Sequence, residues 1–189
     1  VVAGELVETL KSEGPFTIFA PVNAAFGSFT EGQLSALLDP ANKTLLQKVL
    51  TYHVIQGDVR EANLTDGLTV PTVQGTEVTI DLSDGPKVNG ANIIATAIEI
   101  SKGVIHLIDG VLTENLDIVD QAILNGFGSL VSAVSAANLV ETLRTDNLGA
   151  GFTVFAPTVA AFEALGSIPS DPVVLADILL YHVLEGTVL

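Results

Sequence analysis

Two of the three histidines stand in a repeated dipeptide, Tyr52-His53 and Tyr181-His182, and the third, His106, lies in an apolar run that ends at Asp109. Histidine can act as an acid or base near neutral pH and can ligate metals, provided that partner groups lie at suitable spacing. No second histidine or carboxylate stands at ligand spacing from His106, and no catalytic partners are visible. We therefore predict that His106 is buried with a backbone hydrogen bond, and that Asp109 shapes the exit of its strand.

The sequence contains none of the common catalytic patterns. It has no Gly-x-Ser-x-Gly, no Walker loop, no Gly-x-Gly-x-x-Gly and no His-Glu-x-x-His, and its nearest approach to a calcium loop, Asp81–Gly85, is too short. With zero cysteines, disulfides, thiolate catalysis and cysteine metal sites are excluded together. We predict that the protein is not an enzyme and that it uses no cofactor and no metal.

The charge of the chain restricts its partners. Its 22 acidic and 7 basic residues give a net charge of −15, whereas nucleic-acid binding needs clustered lysine and arginine to neutralise phosphates. An anionic membrane surface would be repelled for the same reason. Apolar runs are far shorter than the ~20 residues of a membrane span, so we predict neither nucleic-acid binding nor membrane insertion.

The elements that must position these side chains are organised around a repeated motif. FTIFAPVNAAF, from Phe16 to Phe26, returns as FTVFAPTVAAF from Phe152 to Phe162. The alternation predicts a strand, and the proline, which cannot donate to a ladder, predicts that the strand stops before a short helix. The residues that we expect to be structural are Phe19, Pro21 and Phe26 in the first copy and Phe155, Pro157, Phe162, Tyr181 and His182 in the second. We expect Tyr181 to pack its helix onto the sheet.

The period of the repeat is that of a domain. LVETLK at 6–11 matches LVETLR at 139–144. The offsets are 133 residues for this match, 136 for the FTxFAP motif and 129 for Tyr-His-Val, far above the period of a solenoid.

Between the copies, Thr30 and Gln33 fit a capping box that opens a helix, and an apolar stripe from Leu45 to Leu50 predicts a second helix. From Leu68 the period changes to two, and we predict strands at 78–82 and 88–100 and a buried central strand from Val104 to Leu112. Residues 114–138 read as helix, broken at 125–128.

These motifs, taken in order, resemble the fasciclin-like (FAS1) domain family. The first family signature is similar to Thr17–Pro21 through Ala25-Phe26, the middle one to Tyr52–Val54 and the second signature to Gly103–Leu112, while Asn89–Ala91 matches a further stretch. The resemblance implies an α+β fold, a wedge or sandwich of strands with helices packed on one side, present as a tandem repeat. We assign 1–113 to the first domain and 114–189 to the second.

Both copies read as incomplete. By this alignment the first lacks an N-terminal helix, and the second contains only the N-terminal part of a domain, up to just past its Tyr-His motif. We expect the strand Phe152–Ala156 to be left without a pairing partner. Two explanations stay open: the chain is a window of a longer array, or strands of a neighbouring subunit complete the second domain.

The resemblance also implies a function and candidate residues. It implies extracellular or cell-surface adhesion, in which the module contacts a surface or matrix protein or a glycan; the alternative is a structural subunit of an extracellular polymer, with like subunits as partners. The Tyr-His region of the family is implicated in adhesion, so Tyr52 and His53 are candidates, although a purely structural role for both is the competing interpretation. An acidic-hydrophobic adhesion motif has its counterpart at Ile98, Glu99 and Ile100, at the end of the predicted 88–100 strand, and we interpret Glu99 as a solvated edge residue.

Two sequons are candidate glycosylation sites. Asn42-Lys43-Thr44 and Asn63-Leu64-Thr65 have the pattern of N-glycosylation acceptors. They are meaningful only for a protein secreted by a eukaryote, in which case Asn42 and Asn63 are predicted surface positions.

Overall fold

The computed structural model describes residues 14–144 and 151–186 of the chain. It divides into two compact units, Val1–Asn115 and Leu116–Leu189. The first LVET copy, Leu6–Lys11, lies outside the described residues. The division falls two residues from the predicted boundary at 113/114, and the interpretation of each unit as one copy of the family domain stays a prediction.

The helices and strands alternate along the first unit. They are, in chain order, β1 (Phe16–Pro21), α1 (Glu31–Leu38), α2 (Lys43–Tyr52), β2 (Val54–Gln56), β3 (Thr69–Pro71), β4 (Glu77–Asp81), β5 (Lys87–Val88), β6 (Ala91–Ile100) and β7 (Gly103–Ile108). Short 3₁₀ turns occupy Asn23–Ser28, Pro40–Asn42 and Glu61–Asn63. The prediction of one uninterrupted strand over 88–100 was wrong, because Asn89 and Gly90 both have positive φ, 45° and 82°, and turn the chain between β5 and β6.

The strands of the first unit form a curled sheet. Their order is β2-β1-β7-β6-β5-β4-β3; β1 and β7 run parallel, and the other neighbours run antiparallel. The sheet curls until its first and last strands meet, since Val73 N–H donates to the Val54 carbonyl over 2.7 Å and Ile55 bridges Thr72. The α+β class is confirmed.

The inner face of this curled sheet holds the core. Phe19 is 0% exposed and stacks on the ring of His106 with centroids 5.6 Å apart. On β7, the buried residues Val104, His106 and Ile108 alternate with half-buried ones. The predicted central strand therefore lies between two neighbouring strands, but only one of its faces packs on the core. The buried cluster consists of Phe19, Tyr52, Ile55, Leu64, Val78, Ile80, Val88, Ile93, Ile108 and Leu112.

The two helices of the first unit begin and pack as their patterns predict. The Gln33 N–H donates to Thr30 Oγ1 over 3.2 Å, and the Thr30 N–H donates to Gln33 Oε1 over 2.8 Å, which completes the capping box. The stripe of α2 buries Leu45, Leu46 and Val49. This stripe fixes the rotation of α2 and so directs Tyr52, three residues after Val49, toward the core.

The second unit contains mostly helices. Its elements are α3 (Ile118–Leu124), α4 (Gly128–Ala136), α5 (Val140–Arg144), β8 (Phe152–Val154), α6 (Val159–Ala164), α7 (Pro172–Leu180) and β9 (Val183–Glu185). Arg144 ties α5 to the start of α3, because its guanidinium lies 2.7 Å from Asp117 Oδ2 and 3.3 Å from Asp120 Oδ1. The expectation of an unpaired 152–156 strand was partly wrong: β8 pairs with β9 along one edge.

The two copies of the repeated phenylalanine provide a matched stability test. Phe19→Ala should lower the free energy of unfolding of the first unit by ~3–5 kcal/mol, because it opens a cavity in a fully buried site. Phe155, its counterpart, is 59% exposed, so Phe155→Ala should change stability far less. Urea unfolding followed by the fluorescence of buried Tyr52 measures the first effect, and far-ultraviolet circular dichroism measures both. An equal loss in the two variants would contradict the assignment of Phe19 to the core.

Candidate functional site

The Tyr-His pair of the first unit lies where α2 passes into β2. α2 ends at Tyr52 and β2 begins at Val54, so His53 caps the helix, and its N–H donates to the Leu50 carbonyl over 3.2 Å. In the other direction, the His53 carbonyl accepts from the N–H of Phe19 on β1 over 2.9 Å. The backbone of this corner therefore joins α2 to the repeated strand.

The imidazole of His53 is hydrogen-bonded at both nitrogens. Nδ1 lies 2.7 Å from the Val49 carbonyl oxygen, and Nε2 lies 3.0 Å from the backbone nitrogen of Leu112. A carbonyl only accepts and an N–H only donates, so Nδ1 must carry the proton and Nε2 must accept. The neutral ring therefore clamps α2 to the chain that leaves β7.

Burial lowers the pKa of His53 below its ordinary value, and the hydrogen bond to Val49 offsets only part of this shift. The cause is desolvation, since His53 is 5% exposed and a charged ring would lose its hydration there. Protonation would also place a second N–H against that of Leu112. The site thus favours the neutral ring, which suits a structural clamp.

Tyr52 is held in the same way. Its hydroxyl donates to the Glu77 carbonyl oxygen over 3.1 Å and accepts from Asn89 Nδ2 over 2.7 Å. Burial raises the pKa of Tyr52; the bond from Asn89 opposes this shift, and the carboxylate of Glu114 adds to it. Asn89 was missed as a partner from the sequence, although an Asn-Gly pair between two strands is a turn signal that could have located it.

These contacts leave Tyr52 and His53, two of the predicted adhesion candidates, buried. Their exposed fractions are 1% and 5%, and a partner that approached the surface would not reach either side chain. The structural interpretation of the Tyr-His motif in this unit is the one that fits, because every polar atom of the two side chains is used inside the fold.

His106 and Asp109 both serve the sheet. His106 is 0% exposed, and its Nε2 lies 2.8 Å from the Val59 carbonyl oxygen. Asp109 follows β7 and receives the Asn92 N–H at Oδ1 over 2.8 Å and the Asn92 amide at Oδ2 over 2.6 Å. The side-chain bond from Asn92 is the main cause of a lowered pKa for Asp109. Asp109 thus fastens the exit of β7 to the start of β6.

The remaining adhesion candidates lie on the surface. Ile98 is 46% exposed and Ile100 is 40% exposed, and the side chain of Glu99 is 68% exposed. All three belong to β6, in agreement with the strand predicted up to residue 100, and β6 keeps its pairing with β7 through Ile100↔Gly103. We call Ile98, Glu99 and Ile100 the β6 patch.

The β6 patch stands at a free edge. β5 pairs with β6 only at Ala91 and Asn92, so among the described residues the patch pairs with β7 alone. Glu99 Oε1 lies 2.8 Å from Arg60 Nη1, and Arg60 also contacts Asp58. The hydrogen bond to Asp58, supported by the charges of both carboxylates, raises the pKa of Arg60, so Arg60 stays charged beside the patch.

The two sequons differ in accessibility. The side-chain amide of Asn42 donates to the Ala36 carbonyl over 2.9 Å, and Asn42 is half-buried. Asn63 is exposed, and its amide nitrogen lies 3.5 Å from the Asp58 carbonyl. Of the two acceptor positions, Asn63 is the one that a glycosyl transferase could reach without breaking a strong hydrogen bond.

The second Tyr-His pair keeps the helix contact but not the burial. His182 Nδ1 lies 2.8 Å from the Ile178 carbonyl oxygen, four residues back, as His53 lies from Val49. Tyr181, however, is 90% exposed, which corrects the expectation that it packs inside like its counterpart. The reason is that no described strand of the second unit covers this face. Phe162, in contrast, packs against the core of the unit, and Pro157 is half-buried.

Neither a metal site nor a membrane-spanning helix was found in the parts of the chain that the structure describes. No group of three or more histidine, aspartate or glutamate side chains there could hold a metal ion. No helix within 14–144 or 151–186 combines the length and apolar character needed to cross a bilayer.

Comparison with known families identifies the fold. The model of the fasciclin domain matches residues 1–114 and again 125–189. The chain belongs to the fasciclin domain family. The two matches fall on the two copies of the FTxFAP motif, one in each compact unit.

Individual fasciclin relatives come from distant organisms. The chain is 45% identical to protein sll1483 of Synechocystis over 113 residues, which are 59% of this chain and 62% of that protein. It is 37% identical over 108 residues to the cell surface glycolipoprotein MPB83 of Mycobacterium bovis, with 57% of this chain and 47% of that protein covered. A solved FAS1 domain pair of the insect cell adhesion molecule fasciclin I is similar with a TM-score of 0.45 at 20% identity, covering 95% of this chain and 68% of that one. The chain thus spans about half to two thirds of these curated relatives.

The clamp at His53 predicts a pH dependence of stability. In the folded protein the pKa of His53 lies below the ordinary value of 6.5, so the unfolded chain takes up a proton at His53 more readily than the folded chain does. The stability that the neutral ring contributes is therefore complete above pH 6.5 and is lost as the pH falls below it. We expect the urea midpoint of the first unit to fall between about pH 7 and about pH 5. The variant His53→Gln keeps a donor and an acceptor but does not titrate, so its urea midpoint should depend less on pH in this range. An unchanged dependence would show that His53 is not its source.

Proposed function

We propose that this chain is a non-enzymatic adhesion or matrix module and that the β6 patch is its contact surface. The observation that carries the proposal is the contrast in exposure among the candidates: Tyr52 and His53 are buried, whereas Ile98, Glu99 and Ile100 stand at 40% exposure or more. Membership of the fasciclin family supports a role in contacts rather than chemistry.

The β6 patch has the composition of a small binding surface. Ile98 and Ile100 are two residues apart on a strand and so present their side chains on the same face, with Glu99 between them on the other. Two exposed isoleucines offer apolar area, and the unpaired edge offers backbone hydrogen bonds. A partner that adds a strand or a loop to this edge would use both.

The charge at the patch favours a partner with a cationic group. An exposed ion pair such as that of Glu99 with Arg60 contributes little stability, so Glu99 can exchange Arg60 for a lysine or arginine of a partner at small cost. The net charge of −15 would attract such a partner and repel an anionic glycan. A surface or matrix protein therefore suits the patch better than an acidic polysaccharide.

An extracellular or cell-surface location goes with this function. One relative carries the name cell surface glycolipoprotein, and the exposed sequon at Asn63 would accept a glycan if the source were a eukaryote. The absence of cysteine is compatible with an oxidising compartment, because a chain of this size can bury enough apolar area without disulfides.

The proposal is tested by attachment of cultured cells to wells coated with the full chain. The variant Ile98→Ser, Glu99→Gln, Ile100→Ser should reduce attachment about tenfold, a loss of ~1.4 kcal/mol, because it removes the apolar area and the charge of the patch without touching the core. The matched control is Leu38→Ser, which replaces a 55% exposed leucine on α1.

Thermal unfolding of both variants is measured alongside attachment. Both should melt as the natural chain does, since the replaced side chains are exposed. Equal attachment by the patch variant and the natural chain, or an equal loss in Leu38→Ser, would show that cells do not contact the β6 patch.

A further inference from the structure

The chain contains two asparagine-glycine pairs, Asn89-Gly90 and Asn125-Gly126. An asparagine amide that is followed by glycine is open to attack by the next backbone nitrogen, because glycine has no side chain that would hinder the approach. Asparagine is one of the thermolabile residues. What distinguishes the two pairs is how the fold holds each asparagine side chain.

The two glycines give neither pair an advantage in conformation or crowding. Gly90 and Gly126 have φ values of 82° and 78°. A Cβ built on either glycine would meet no described atom within 4 Å. A difference in reactivity must therefore come from the asparagine and from the element to which it belongs.

Asn89 is fixed by hydrogen bonds to distant parts of the sequence. Its Oδ1 accepts from the N–H of Thr79 on β4 over 2.8 Å, and its Nδ2 donates to the Tyr52 hydroxyl over 2.7 Å. Its own N–H donates to the Thr79 carbonyl over 2.9 Å. Ring closure at Asn89 would break both side-chain bonds and take a donor from a buried hydroxyl, so it requires the sheet to open.

Asn125 is exposed and follows α3 directly. Its Nδ2 donates to the backbone carbonyl of Gln121, one turn back, over 2.8 Å and lies 3.5 Å from the side-chain oxygen of the same residue. The Gly126 N–H donates to the Ile123 carbonyl over 3.1 Å. These bonds belong to the last turn of a single helix, and helix ends open at a much lower cost in free energy than a sheet does.

We propose that Asn125 is a site of spontaneous deamidation and that the fold protects Asn89 from the same reaction. The Gly126 nitrogen attacks Cγ of Asn125, the bond from Cγ to Nδ2 breaks, and Nδ2 leaves as ammonia, which takes up the proton of the attacking N–H by way of water. Water then adds to one of the two carbonyls of the succinimide and opens the ring to aspartate or isoaspartate. Water is the one co-reactant, and the inference is independent of the β6 patch.

The reaction changes the turn between α3 and α4. The carboxylate that replaces the amide cannot donate to the Gln121 carbonyl, and its charge stands at the C-terminal end of α3, where the helix dipole disfavours an anion. Isoaspartate also lengthens the backbone by one carbon just before Phe127, which packs against the core of the second unit. The modified chain therefore carries one more negative charge and a less stable second unit.

The test incubates the full chain at mildly alkaline pH, once in buffer and once in urea, and follows both pairs by proteolytic digestion and mass spectrometry. Each conversion adds about 1 Da to its peptide, and a sample digested at time zero corrects for conversion during digestion. In urea the two pairs should react at similar rates, because only the local sequence remains. In the folded chain Asn89 should react at least about tenfold more slowly than Asn125.

Two outcomes of this comparison would overturn the proposal. One is an equal rate at Asn89 and Asn125 in the folded chain. The other is a folded chain in which Asn125 does not react although it reacts in urea. The product is a further criterion: ring opening yields isoaspartate together with aspartate, which electron-transfer fragmentation distinguishes, whereas aspartate alone would mean direct hydrolysis of the amide and would also contradict the proposal.

A variant of the first unit tests the protection of Asn89. Tyr52→Phe removes the hydroxyl that accepts from the Asn89 amide, so Asn89 should react faster while Asn125, in the other unit, keeps its rate. Hydrogen exchange of the β4 amides, measured on the same sample, shows whether the sheet stays closed. An unchanged rate at Asn89 in this variant would show that the bond to Tyr52 is not what protects it.

Discussion

The parallel pairing of β1 with β7 is the contact on which the first unit depends. It joins Phe16–Pro21 to Gly103–Ile108, two segments far apart in the sequence, in an unbroken register. In the strand order, β7 links β1 to β6, β5, β4 and β3. Its register requires a glycine at 103, because Phe16 approaches too closely for a side chain. The stack of Phe19 on His106 and the bond from Leu112 to His53 then fix α2 and the chain after β7 to the same pair of strands.

The two copies of the repeat separate local from long-range causes of structure. FTIFAP and FTVFAP both form strands, both pair with the strand that follows a Tyr-His pair, and His53 and His182 both bond four residues back. Sequence pattern and neighbouring residues suffice for these features. Burial differs, because the Tyr52 hydroxyl is bonded to Glu77 on β4 and to Asn89 in the turn between β5 and β6. The described residues of the second unit include no counterpart of these elements next to Tyr181.

The same distinction explains what could be predicted from the sequence. The capping box at Thr30, the stripe of α2, the break at 125–128 and the family motifs are set by residues a few positions apart, so pattern reading found them. The alternation of Ile98, Glu99 and Ile100 was enough to predict a strand, but which neighbour it pairs with, and hence which edge stays open, is set by its long-range pairing with β7. The partnership of Asn89 with Tyr52 depends on a turn brought near α2 only by the folded sheet, and no local signal gives that distance.

Repetition of a residue in this chain therefore indicates a role in the fold, and a candidate binding surface is recognised by exposure in the folded unit. In the first unit the repeated Tyr-His pair is held by internal hydrogen bonds, whereas the β6 patch has exposed isoleucines beside a charged group. In the second unit the repeated residues themselves are exposed, because the strands that cover them in the first are not among its described residues. The repeated Phe19 is thus buried where β7 lies against β1, and its counterpart Phe155 is exposed where no described strand lies against β8 in that way.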